Sequence, residues 1–214
     1  MSETTTTTEA VQASEKAHRR RFAMTPRELI DIGVFAALYI VTAFLFVLVG
    51  LVAPPLMPFS LAIGIVAASI PFVLFLQRVT HPGQVFLFVL VAAGLQLLTG
   101  HPVAGVLFAL VLAAVVEVVL FFGGYRKRAT SVCSSALFAA WNIGPFLPLL
   151  YIGHDEMLTG RMAKIGGDRF VQLDSGTIAL TLLGMALIMV ALGTLGGLLA
   201  TRVLRRHFVR AGLA

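Results

Sequence analysis

An all-α integral membrane protein, a bundle of six transmembrane helices with both termini inside, is the fold this sequence predicts. Three observations predict it. Of 214 residues, 58% are hydrophobic and only 12% are charged, and the mean hydropathy is +0.95. A single soluble domain of that length cannot hide so much apolar surface. The apolar residues gather into six runs near the length that crosses a hydrocarbon core of about 30 Å. The basic residues gather in alternate connections between those runs, as the positive-inside rule requires.

The spans fall at about 29–53, 57–77, 85–99, 103–122, 130–152 and 175–201. The first, LIDIGVFAALYIVTAFLFVLVGLVA, follows the arginine-rich HRRRFAMTPR and stops at Pro54 and Pro55. Roughly 25 residues at 1.5 Å each reach about 37 Å, enough to span with some tilt. Ahead of it, residues 1–25 are polar and Thr-rich, with little to pack, and read as a disordered cytoplasmic tail. The apolar run is about twice the length of a signal-peptide core and no small-residue cleavage pattern follows it, so a signal peptide is not expected.

The second span carries Pro71, which a bundle tolerates when neighbours satisfy the freed carbonyl. RVTHPGQ then marks a turn. The third span is short and ends at Gly100, His101 and Pro102; the fourth carries Glu117 and ends at GGYRKR. The fifth holds Trp141, Asn142, Gly144, Pro145 and Pro148. A polar loop at 153–174 leads to the sixth, after which residues 207–214 form a cytoplasmic tail, leaving 26–206 as the transmembrane domain.

Charge tests this topology independently of hydropathy. Lys16, Arg19, Arg20, Arg21, Arg27, Arg78, Arg126, Lys127, Arg128, Arg202, Arg205, Arg206 and Arg210 fall inside, thirteen of the 16 Lys and Arg. Only Arg161, Lys164 and Arg169 fall outside. A pI near 10.2 would suggest nucleic acid in a soluble protein, but here the cations flank apolar spans, so the lipid bilayer is the expected partner and nucleic acid is not. The single Cys133 permits no internal disulfide and has no Cys or His at metal-site spacing, so no metal site is expected.

Catalysis finds no footing. There is no Walker A loop, no HExxH pair and no Gly-x-Ser-x-Gly elbow, and Glu117 is the one carboxylate within a span away from its ends. A membrane enzyme needs at least a nucleophile with a base, or paired acids, inside the bundle. The expectation is a protein with no catalytic residues and no intrinsic cofactor.

The opening LIDIGVFAALYIV, the segment GGYRKRATSVCSSALFAAWNIGPFLPLLYIG and the polar stretch before the last helix together resemble the MptD, or Trep_Strep, family, from Pro26 to Arg206. The family is associated with S components of energy-coupling factor (ECF) transporters. That resemblance implies an ABC-type importer subunit without ATPase activity in a prokaryotic plasma membrane. It would capture a small molecule outside and dock on a membrane-embedded T component driven by two cytoplasmic ATPases. It also implies toppling in the bilayer to release cargo inward.

Gly33 and Ala37 lie four apart on one helical face, with Ala36 beside them. Such small-residue stripes allow close helix approach. By itself the stripe reads rather as internal packing; the resemblance turns the reading to docking on the T component. For Gly193, Gly196, Gly197 and Ala200 in the last span, internal packing is the expectation.

The ligand site belongs at the outer helix ends. There lie the proline-rich LVAPPLMPFS with Met57, then Gln96, Thr99 and His101, and the long loop. The loop carries Tyr151, His154, Arg161, Lys164 and Arg169, with glycines for bending, and has the length of a lid. Of five histidines only His101 and His154 fall outside. A neutral imidazole ligates haem iron, with Met57, Met157, Met162 or Tyr151 as second ligand, and the loop cations pair with propionates. Haem is therefore the leading specific cargo, as a transported ligand; the plainer reading of both histidines is a solvated loop residue. Asp155, Glu156, Asp168 and Asp174 leave room for a cationic cargo instead. Trp141 either lines the floor of a cavity with Phe146 or is simply core, and Glu117 bonds another helix or reaches Arg126 or Arg128. A vitamin or other precursor as cargo, and an accessory or scaffold subunit without cargo, are the alternatives.

Overall fold

Each helix starts and stops where its sequence supplies the chemistry. The computed structural model describes residues 24–52, 54–150 and 175–210, with only the backbone described at 54, 175 and 205–210. The expected lid at 153–174, the tail up to residue 23 and residues 211–214 lie outside the described residues. Helix α1, Pro26–Val52, opens with a reciprocal cap: the Thr25 amide donates to Glu28 Oε2 at 2.7 Å and the Glu28 amide donates to Thr25 Oγ1 at 3.4 Å. Pro26, at the first helical position, loses no bond by lacking an N–H.

A 3-10 turn, Pro54–Leu56, leads into α2, Met57–Leu76, which keeps Pro71 inside it. Gly83, at φ 95°, turns the chain into α3, Gln84–Leu98. That left-handed conformation favours glycine, which has no Cβ to clash. Helix α4 is Val103–Gly123 and α5 is Arg128–Ala139. From Ala140 to Leu150 the chain tightens into a 3-10 segment around Pro145 and Pro148, which cannot donate to a helical ladder. The α-helix expected through the fifth span therefore stops a dozen residues early. Helix α6, Ser175–Arg210, runs 36 residues and continues well past 201.

Among the described residues there are six α-helices and no strand. Five segments are long and apolar enough to cross a membrane, α5 and its 3-10 continuation making one of them. Helix α3 has 15 residues and reaches only about 22 Å.

The starts of α1, α3 and α5 and the ends of α2, α4 and α6 gather at one end. Thr80 Oγ1 donates to Glu28 Oε1 at 3.1 Å, Gln77 Nε2 donates to Ser131 Oγ at 2.8 Å, and Arg78 pairs with Asp31 at 3.3 Å. Arg27, Arg126, Lys127, Arg128 and Arg202 belong to the same end, here called the basic end. The helix surfaces carry exposed Val41, Leu45, Ile63, Val111, Leu180 and Leu187, side chains suited to lipid.

The core is concentrated toward the basic end. Phe72, Phe75, Phe88, Phe138, Tyr39 and Trp141 are buried together, with Phe72 and Phe138 stacked at 4.5 Å between centroids and Phe75 and Phe88 at 4.7 Å. Small residues bring the backbones close behind this cluster. Gly193 faces Ala139 and Ser135, whose Oγ donates to the Gly193 carbonyl at 3.0 Å, and Gly196 faces Ser69. Gly193, Gly196, Gly197 and Ala200 are thus internal packing, as expected, and close contact replaces the hydrophobic effect that lipid cannot supply.

Candidate functional site

Beyond the aromatic cluster, toward the far end, packing thins. The buried residues of α2 run almost continuously from Ala68 to Leu76, whereas Ser60 and Gly64 are the ones in its first half. In α3 burial stops at Ala93, and in α4 it begins at Ala109. A small separate cluster, Leu149, Ile178 and Leu182 with Phe146 and Met185, holds the 3-10 segment against α6.

At the boundary between the two regimes lies a cavity of about 30 Å³, lined by Tyr39, Ala43, Phe46 and Val47 of α1, Leu61, Gly64, Ile65 and Ala68 of α2, and Asn142. Its walls are apolar and its polar groups sit at one place. The Tyr39 hydroxyl faces Trp141 and Asn142. Asn142 Nδ2 donates to the Ala139 carbonyl at 2.8 Å, and Trp141 Nε1 is buried without a hydrogen-bond partner. The indole N–H is left to the Tyr39 hydroxyl that it faces, a polar group the bundle itself provides, at less than full hydrogen-bond geometry. Glycine makes the arrangement possible. A Cβ on Gly64 would lie 2.9 Å from the Phe46 side chain, and one on Gly105 would lie 2.9 Å from the Gly144 carbonyl carbon beside Asn142.

The residues expected to bind cargo take up different positions. Gln96 and His101 come together: the Gln96 carbonyl accepts from the His101 amide at 3.2 Å and lies 3.2 Å from His101 Nδ1, which is also 2.9 Å from Thr99 Oγ1. His101 thus closes the far end of α3 with its Nδ1 edge. Met57 packs against Gly50 where α1 turns into α2. Trp141 is core, stacked on Phe138 at 5.0 Å, with its ring nitrogen turned to the polar group of the cavity; Phe146 belongs to the other cluster. Tyr151, His154, Arg161, Lys164 and Arg169 lie outside the described residues. Tyr39 was not singled out in the sequence, although a lone tyrosine in the middle of an apolar run is a signal for a buried hydroxyl. Of the stripe on α1, Ala36 is fully buried, whereas Gly33 and Ala37 face outward, with nothing within 4 Å of a Cβ placed on Gly33.

Glu117 does bond another helix, but its partners are backbone amides rather than Arg126 or Arg128. Its Oε1 accepts from the amides of Gly83, Val85 and Phe86 at 3.0, 2.8 and 3.2 Å, placing a carboxylate on the positive end of α3. It pins α4 to α3 at the basic end, away from the cavity. Nearby, the buried hydroxyl of Tyr125 has no hydrogen-bond partner. Burial, and then the charge of Glu117, push that phenol above its ordinary value.

The described architecture is that of a multi-pass helical membrane protein, loosely packed at one end. Residues 26–210 match the family described as hypothetical bacterial integral membrane protein (Trep_Strep), and the chain belongs to that family. No curated protein and no solved structure matches it.

Proposed function

We propose that this protein is the substrate-capturing S component of an ECF-type importer, with the basic end in the cytoplasm and the loosely packed end outside. One observation carries the reading: the bundle is close-packed toward its basic end and slack toward the other, with Tyr39, Trp141 and Asn142 at the boundary. A capture subunit needs a firm base and an openable mouth. Pockets for drug-sized molecules run to about 300–1,000 Å³, so cargo needs the far half of the bundle to open around the joined α1–α2 hairpin, where fewer side chains are buried than at the basic end. The outward-facing Gly33 and Ala37 support docking of a T-component helix on α1. ATP hydrolysis belongs to partner chains.

The cargo is a hydrophobic or amphipathic micronutrient, and haem is the specific candidate. His101, at the far end of α3, is one candidate iron ligand. His154 is the other candidate ligand, and Arg161, Lys164 and Arg169 serve propionates.

Haemin titration of the purified protein tests this. A saturable Soret band at stoichiometric haem that shifts in His101→Ala or His154→Ala supports haem capture; a free-haemin spectrum in all three proteins removes haem. In that case, mass spectrometry of released small molecules separates a vitamin-type cargo from an accessory subunit that carries none. Co-purification with two ATPases and a T component, lost in Gly33→Leu, tests the docking role separately.

A further inference from the structure

Between α5 and α6, at the basic end, a groove of about 640 Å³ opens on the bundle surface. Ala129, Val132, Cys133 and Ala136 form one wall, Thr194 and Leu198 the other, and Arg128 stands at the rim. The Thr194 hydroxyl donates to the Val190 carbonyl at 2.8 Å, so this wall is apolar in effect. The groove lies beside the tight Ser135–Gly193 crossing, where the same two helices touch. Its width comes from small side chains on a neighbouring face rather than from helix separation.

The rim is cationic, and its charges are unmatched among the described residues. Thr194, Leu198 and Arg202 occupy successive turns of one face of α6, so Arg202 continues the apolar wall toward the basic end. Arg126 and Lys127 precede Arg128 in a hairpin that holds Arg126 at φ 65°, a left-handed conformation uncommon for a residue other than glycine. Among the described residues, none of these four cations has an ion-pair partner. The carboxylates of this end are committed elsewhere: Asp31 to Arg78, Glu28 to Thr25, Thr80 and His81, Glu117 to the amides of α3. An apolar trough that ends in bare arginines at the membrane boundary matches an amphiphile with an acyl chain and an anionic head.

We infer that this groove is a binding site for an anionic glycerophospholipid. One acyl chain lies between Val132, Cys133 and Leu198, and the phosphate lies between Arg128 and Arg202. The site is distinct from the cavity at Tyr39 and does not depend on the transport reading. A free inorganic anion has no use for the trough, and a zwitterionic lipid has no net charge for the rim.

Native mass spectrometry of the full chain in detergent, with equal added phosphatidylglycerol and phosphatidylcholine, tests the site. Wild type retains phosphatidylglycerol preferentially. Arg128→Gln with Arg202→Gln weakens that retention about thirtyfold, each arginine near a surface being worth about one factor of five. Cys133→Phe, filling the trough from an exposed position, weakens it with every arginine intact. Arg27→Gln, at the same end but off the groove, leaves it unchanged. In the wild type, phosphatidylglycerol shields Cys133 from maleimide, whereas phosphatidylcholine and inorganic phosphate do not, a readout that needs no variant to fold. Equal retention of the two lipids, a preference that survives the double substitution, equal loss in Arg27→Gln, or protection by phosphate alone overturns the proposal.

Discussion

The two ends of this bundle solve the same problem differently. At the basic end, phenyl rings stack, glycines and serines let backbones touch, and carboxylates cap or pair. At the far end, the helices are held by a glycine–glycine approach, the Ser60 hydroxyl donating to the Phe46 carbonyl beside Gly64, a turn packed by Met57 on Gly50, and one small apolar cluster. In lipid there is no hydrophobic penalty for leaving a helix face uncovered, so stability follows close contact and hydrogen bonding rather than buried area. A chain that concentrates both at one end leaves the other free to move.

The largest expected effect comes from breaking the dense end. Phe72→Ala removes a ring in contact with Tyr39, Phe88 and Phe138 and is expected to cost about 3–5 kcal/mol, read as lost monodispersity and a lowered melting temperature in detergent. Phe46→Ala, beside the cavity, is expected to cost less than half as much; equal losses would erase the distinction between the ends. Gly196→Leu comes next, because any side chain there meets Ser69 and the Val66 carbonyl. It is expected to lower the melting temperature sharply, whereas Gly33→Leu, facing open space, leaves it unchanged.

Glu117→Gln weakens the charge on three amides at the start of α3 and is expected to cost about 1–2 kcal/mol. Faster hydrogen exchange at 83–86, with exchange near Gly105 unaltered, is the signature. Tyr39→Phe is expected to change stability by under about 1 kcal/mol while weakening cargo retention several-fold. The smallest effect concerns pH. Because the Tyr125 phenol is raised in the fold, its contribution is fully present below its unfolded value near 10.0 and is lost as pH climbs through the higher folded value. Melting temperatures of wild type and Tyr125→Phe are expected to agree up to about pH 9.5 and to diverge above it, with the variant the more stable.

Much of the fold is legible in the sequence. Helix existence and membrane class follow from local apolarity, and the shared basic end follows from where Arg27, Arg78, Arg126 and Arg202 fall. Boundaries were less so. The α5 helix gives way at Ala140 because Pro145 and Pro148 lie ahead, and sequence hydropathy does not distinguish a 3-10 segment from an α-helix. The candidate site was the least legible part. Tyr39 is one apolar-run residue among many until it is seen against Trp141 and Asn142, while seven of the expected cargo residues, Met157 and Met162 among them, lie outside the described residues.

What the sequence by itself determined is which segments are apolar enough to enter a membrane and which ends of them collect charge, since transfer into lipid and attraction to headgroups act residue by residue. What only the tertiary structure decided is which face of each helix turns inward. These helices are apolar all round, so no periodic contrast marks a core face. Gly33 points out and Gly193 points in although both lie in small-residue stripes, because inwardness here is set by which backbones come close enough to touch.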